Sequence, residues 1–131
     1  MKYKLLPNSK TIQHKGHTLY RIQALENFSD VKAGDLGGWV RREWNLSQEG
    51  LCWIYDEGKV YGEARVFENA KVLGNTEISK RSWISGNSII IDSKVSDFAN
   101  YFNHLIIPSP EHPLYIIYRL KYPDLEVVFI K

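Results

Sequence analysis

Aliphatic residues fall every six positions through the middle of the chain: Ile54, Val60, Val66, Val72, Ile78, Ile84 and Ile90. Two positions before each stands a small side chain: Cys52, Gly58, Ala64, Ala70, Thr76, Ser82 and Ser88. A helix repeats every ~3.6 residues and a strand every ~2, so a strict period of six fits neither alone. It fits a coil of three short flat sides, each turning one aliphatic residue inward and needing a small residue near the corner. Between the beats lie Asp56-Glu57, Gly62-Glu63, Glu68-Asn69, Gly74-Asn75, Lys80-Arg81 and Gly86-Asn87. Gly and Asn tolerate the positive φ that tight corners require. Lys80-Arg81 departs from that chemistry and is expected to mark an altered corner.

The flanks do not keep the beat. Lys10 to His14 and Thr18 to Leu25 read as two strands around His14-Lys15-Gly16-His17. The glycine-rich Gly34-Asp35-Leu36-Gly37-Gly38-Trp39-Val40 reads as a capping turn whose Trp39 plugs the open coil end. A repeat stack needs such atypical end pieces, because a bare end exposes core and unpaired backbone. After Ile90 the step shortens to five at Val95, so regularity is expected to end there. Asp97 to Leu105 reads as a short helix or an irregular crossing, and Pro108, Pro110 and Pro113 as an extended linker. Leu114–Leu120 and Leu125–Ile130 read as a hairpin around Lys121-Tyr122-Pro123-Asp124. The organisation expected is 1–50 as an N-terminal β cap, 51–95 as the repeat, and 96–131 as linker and C-terminal hairpin. The whole is all-β.

At 131 residues and 44% hydrophobic composition, one soluble domain is expected. No apolar run approaches the ~20 residues of a membrane span. The opening MKYKLLPNSK has lysines without a long apolar stretch behind them, so no secretory signal and a cytoplasmic location are expected. The one cysteine, Cys52, excludes an internal disulfide and reads as a packing thiol. Residues 1–50 carry eight Lys+Arg against five Asp+Glu, residues 51–100 six against seven, and the last 31 three of each. No strong basic footprint for nucleic acid results.

The pattern aliphatic-x-x-x-small-x over 52–95 resembles the hexapeptide repeat of left-handed parallel β-helices. In that family three hexads make an 18-residue coil, so about two coils are expected here. The segment Gly34–Val40, with Asn45-Leu46-Ser47-Gln48-Glu49-Gly50 and Cys52-Trp53-Ile54-Tyr55-Asp56, is similar to uncharacterised bacterial and phage or prophage proteins. There it stands ahead of a short hexapeptide helix. The best-known hexapeptide proteins are acyltransferases, typically trimers with a histidine base beside an inter-subunit cleft. A carbonic-anhydrase-like branch holds metal with three histidines. This chain departs from both. His14, His17, His104 and His112 all lie outside the beat, and no loop interrupts 54–90.

With residues 18 apart stacked, one outer face carries Trp53 and Tyr55, then Lys71 and Leu73, then Ile89 and Ile91. Soluble proteins rarely leave such an apolar strip open to water. A terminal appendage, a symmetry mate or a foreign partner is expected to cover it. The C-terminal hairpin, with Tyr115 and Ile117 on one side and Leu114, Ile116 and Tyr118 on the other, needs cover too. The self-association or partner face is therefore expected at Trp53, Tyr55, Leu73, Ile89, Ile91, Tyr115, Ile117 and Tyr118.

His14 and His17 read as solvated turn histidines, since a metal pair would need further ligands. A catalytic His104 would need an orienting carboxylate and a pocket. Arg41, Arg42 and Lys32 read as solvated surface, with contact to an acidic partner or a phosphate backbone as the alternative. No cofactor and no catalytic metal are expected. The expected function is non-catalytic protein binding. The phage resemblance implies an accessory protein that binds and inhibits a host defence component, an anti-CRISPR protein among them. The partners expected are a host protein and a second copy of the chain, dimer ahead of trimer, with no membrane and no nucleic acid. The rivals are a degenerate hexapeptide acyltransferase and a purely structural self-assembling module.

Overall fold

The computed structural model describes residues 1–7 and 10–130. Its strands in chain order are β1 (Tyr3–Leu5), β2 (Thr11–His14), β3 (His17–Ala24), β4 (Leu36–Val40), β5 (Trp53–Ile54), β6 (Lys59–Val60), β7 (Arg65–Val66), β8 (Lys71–Leu73), β9 (Glu77–Ile78), β10 (Trp83–Ser85), β11 (Ile89–Ile91), β12 (Lys94–Val95), β13 (Asn100–Phe102) and β14 (His104–Ile107). Helix α1 (Tyr115–Lys121) and strand β15 (Glu126–Phe129) follow.

From β4 onward the strands pair in parallel and form three sheets around one core. The first sheet holds β4-β6-β9-β12, the second β7-β10-β13, and the third β5-β8-β11-β14-β15. Ile54 lies beside Val72, Val60 beside Ile78, Val66 beside Ile84 and Val72 beside Ile90. Each of these steps is the 18-residue coil expected of three hexads. All seven beat residues are fully buried, and so are the small residues two positions ahead of them. The architecture is an all-β parallel β-helix.

The corners explain the polar pairs. Gly50, Asp56, Gly62, Glu68, Gly74, Lys80, Gly86 and Asp92 all have positive φ, six residues apart. Lys80 turns its corner at φ 58° like the others, so the altered corner expected there does not exist. Several corner amides are met from the next coil. Asn69 Oδ1 accepts from Leu51 N at 3.2 Å, Asp92 Oδ1 from Asn75 N at 2.8 Å, and Asn103 Oδ1 from Asn87 N at 2.8 Å. Side-chain acceptors from the next coil thus replace ladder partners where the chain bends.

The coil extends beyond the regular beat at both ends. Val40 lies beside Val60 and Leu46 beside Val66. Val40 to Leu46 is again a step of six, and two extra residues before Ile54 hide it. Downstream, Val95 lies beside Ile78, Tyr101 beside Ile84, Ile106 beside Ile90 and Val128 beside Ile106. Residues 97–105 are therefore coil sides with shortened steps, and the expectation of two coils is corrected to a third sheet five strands deep.

The C-terminal hairpin is absent. Tyr115–Lys121 is helical, and β15 pairs in parallel with β14. Leu114, Tyr115, Tyr118 and Tyr122 pack on the cluster of Ile89, Ile91, Leu105, Ile107 and Leu125. Their spacing of one, three and four is one face of a helix. A run this apolar carries no clear period of two or 3.6, and burial of that face decides between them.

At the other end, β2 and β3 form the expected hairpin, with His14 opposite His17 and Lys15-Gly16 turning at positive φ. Strands β1, β3 and β4 are antiparallel, so this end piece continues the first sheet. Gly38 is required where β4 joins, because a Cβ there would lie 2.3 Å from Gly58 O. Trp39 does not plug the coil end. Val40 takes the inward place, so Trp39 faces outward and packs with Leu19, Tyr61 and Ile12. Tyr3 and Ile22 join the coil core in its place.

Candidate functional site

Each sheet turns an outer face to the surroundings, and the terminal segments cover two of the three. On the first, Trp39 and Tyr61 lie under Leu19 and Ile12 of the β2–β3 hairpin. On the third, the apolar strip read from the sequence is roofed by the chain itself. Trp53 is 1% exposed beneath Tyr3 and Phe28, whose rings meet it edge to face at 6.2 and 5.3 Å. Ile89 and Ile91 are buried under α1, and Leu73, Tyr115 and Tyr118 are half-buried at the same contact. Tyr55 is half-buried, with its hydroxyl donating to Asp30 Oδ1 at 2.6 Å. Burial, and then that bond, push the Tyr55 phenol well above its usual pKa. Of the eight residues expected to form a partner face, Ile117 stands exposed at 56%, beside Ile116 and Leu120.

The second sheet is different. Its outward side chains belong to none of the buried clusters. Trp44 and Trp83 are each 42% exposed, Phe102 57% and Phe98 77%. Trp83 meets Trp44 edge to face at 6.3 Å and Phe67 at 5.9 Å. The Arg65 guanidinium lies 4.2 Å from the Trp44 ring, and Arg65 Nη1 donates to Trp44 O at 2.7 Å. Trp44 is delivered by the 3-10 turn Glu43–Asn45, and Asn45 anchors it. Asn45 is wholly buried, and its Oδ1 accepts from Arg41 N and Arg42 N at 3.0 Å each. Its Nδ2 donates to Ala64 O at 2.7 Å and Gly62 O at 3.2 Å. The result is a rigid aromatic and arginine surface on a flat sheet.

On the outer face of the first sheet, Glu77 of β9 carries an ionic network. It accepts from His14 Nε2 at 3.0 Å, Lys15 Nζ at 2.9 Å and the Tyr61 hydroxyl. Burial alone would raise the Glu77 carboxyl, but these three hydrogen bonds outweigh it and hold the pKa at about 2. Burial and the same bond push Tyr61 up to about 12. His14 is thus a latch between hairpin and coil, not the solvated turn residue expected. The His17 ring lies against Tyr61 at 4.9 Å, tilted by 46°, and its Nδ1 is 3.2 Å from Arg41 Nη1.

His104 has the orienting carboxylate its catalytic reading required, with Nε2 lying 2.9 Å from Glu126 Oε2. Its Nδ1 is 2.8 Å from Phe102 O, so both ring nitrogens are engaged. His112 is similarly tied, with Nε2 2.8 Å from Asp92 Oδ2 and Nδ1 accepting from Leu114 N at 3.1 Å. The His112 bond comes first among the influences that lower the Asp92 carboxyl. Cys52 is buried, as a packing thiol should be. Lys2, also buried, donates to Cys52 O at 2.8 Å and lies 3.4 Å from its sulfur. Burial lowers the Lys2 ammonium and raises the Cys52 thiol, and each group partly offsets the shift of the other. Among the described residues no group of three or more His, Cys, Asp or Glu is placed to hold a metal ion. No helix among them is long and apolar enough to cross a membrane.

A stretch of 46 residues, 35% of the chain, is 50% identical to the "Uncharacterized acetyltransferase YdcK" of Escherichia coli (strain K12), and it covers 14% of that protein's length. The chain therefore spans a small part of this relative. No family model matches the chain. The relation is to a protein named as an acetyltransferase, and it accords with a parallel β-helix.

Proposed function

We propose that the protein is a non-catalytic protein-binding module working through the outer face of its second sheet. The observation that carries this reading is the exposed Trp44–Trp83 pair locked by Arg65. Trp and Arg dominate the binding energy of protein interfaces when held in place by their surroundings. Here edge-to-face packing and the buried Asn45 anchor hold them, so little side-chain entropy is lost on docking. The finer reading, an accessory protein that binds and inhibits a host defence component, rests only on the resemblance carried by Gly34–Val40, Asn45–Gly50 and Cys52–Asp56. The exposed α1 side chains Ile116, Ile117 and Leu120 supply a second apolar patch for self-association. Affinity capture with wild type and Trp83→Ala tests the reading: the captured partner is lost with Trp83→Ala while the melting temperature holds.

A second reading, acyl transfer, is favoured by the name of the Escherichia coli relative. His104 is the residue it would use, yet both its nitrogens are occupied in this structure. Acetyl-CoA turnover by wild type, lost in His104→Ala, would establish it.

A further inference from the structure

The β2–β3 turn overhangs the corner where the first and second sheets meet, and a groove of about 830 Å³ opens there. Lys15, Arg41, Lys80 and Arg81 border it, with Ser96 and Phe98. The carboxylates of the groove already have cations: Asp97 lies 3.0 Å from Lys80 Nζ, and Glu63 lies 2.7 Å from Arg42 Nη2. Lys15 is committed to Glu77 at 2.9 Å. Arg41 and Arg81 have no carboxylate partner among the described residues. Arg41 Nη1 lies 3.2 Å from His17 Nδ1, and the Arg81 guanidinium sits 5.8 Å from the Phe98 ring. Two guanidinium groups therefore face the groove in excess.

We propose that this groove binds a phosphate monoester whose carrier bears a flat ring. The guanidinium fork matches tetrahedral oxyanions through paired, charge-assisted hydrogen bonds. A monoester carries roughly −1.5 to −2 charges at neutral pH, which two free arginines balance. A carboxylate would leave one of them unmatched. Phe98, 77% exposed beside Arg81, offers a stacking surface for the ring. The wall is preorganised, since Glu77 fixes Lys15 and Tyr61, and Tyr61 fixes His17. A long polyanion fits poorly, because Glu63 and Asp97 stand at the rim and the chain's net charge is only +2.

Calorimetry at low salt tests this with inorganic phosphate, phenyl phosphate and a phosphotyrosine hexapeptide. Wild type is expected to bind phenyl phosphate saturably and more tightly than inorganic phosphate. Arg41→Gln and Arg81→Gln should each weaken phenyl phosphate by about tenfold, as expected for a lost charge-assisted bond. Phe98→Ala should abolish the preference for phenyl phosphate over inorganic phosphate. All three side chains lie at the surface or rim, and unchanged melting temperatures will confirm intact folding. Tighter binding of the hexapeptide assigns the natural carrier to a protein side chain, whereas its exclusion beside bound phenyl phosphate assigns a small molecule. No saturable binding of phenyl phosphate, or binding equal in wild type and both arginine variants, would overturn the proposal.

Discussion

Asn45 reaches across one coil to Ala64, and its Nδ2 donates to that residue's carbonyl at 2.7 Å. The same side chain accepts from two further backbone amides, so it joins the turn bearing Trp44 to the sheet bearing Arg65. Asn45→Ala would strand these groups in a buried place. Each such group costs about 1–3 kcal/mol, partly relieved by water at the edge. A loss of about 2–4 kcal/mol is expected on that basis, measured by urea denaturation. A loss within about 0.5 kcal/mol, the range of ordinary surface substitutions, would show that Asn45 does not hold the turn.

Val72 sits at the centre of the beat with Ile54 and Ile90 on either side, fully buried. Val72→Asp places an unpaired charge in a core one side chain wide, costing several kcal/mol. Loss of the cooperative thermal transition is expected. A soluble variant melting at the wild-type temperature would contradict the coil.

Glu77 links pH to stability. Its folded pKa of about 2 lies below the ordinary 4.5. The stability it contributes is present above pH 4.5 and is lost as pH falls toward 2. Wild type should therefore lose more stability between pH 5 and about 2.5 than Glu77→Gln does, in paired denaturation curves. Equal losses in the two proteins would show that the His14, Lys15 and Tyr61 contacts do not bind the carboxylate preferentially.

Self-association is expected to use α1. Ile117 and Leu120 stand outward at 56% and 76% exposure. Ile117→Glu with Leu120→Glu should convert a dimer into a monomer in light scattering without changing the melting temperature. A wild-type monomer at every concentration would exclude self-association.

Much of this fold was legible because its core is a strict period. The seven aliphatic beats, their small partners and the 18-residue stacking needed only spacing and side-chain size. The ends were hidden by breaks in the spacing. Two extra residues after Leu46 and shortened steps at Val95 and Ile106 broke the count, though Val40 to Leu46 kept it. Leu114–Leu120 was misread because an apolar run shows no polar face, and only the tyrosines at 115, 118 and 122 carried the helical spacing. The face expected for a partner is largely covered within the chain for a related reason. The most apolar strip, Trp53 to Ile91, is the one the chain covers itself. The face left open mixes Trp44, Trp83 and Arg65, and Trp44 joins it only through the Asn45 turn. Asn45 stands among the polar residues Arg41, Arg42, Glu43, Ser47 and Gln48, so nothing in its spacing marked it as the buried anchor.

The most direct measurement is affinity capture with quantitative mass spectrometry, comparing wild type with Trp83→Ala and Arg65→Ala, each verified by thermal melting. Trp83 is 42% exposed and contributes to the surface more than to the core, so the fold should survive its loss. The account predicts a partner enriched by wild type and lost from both variants, with no acetyl-CoA turnover in any of the three proteins. Identical captured proteins across all three, or acetyl transfer by wild type, would contradict it.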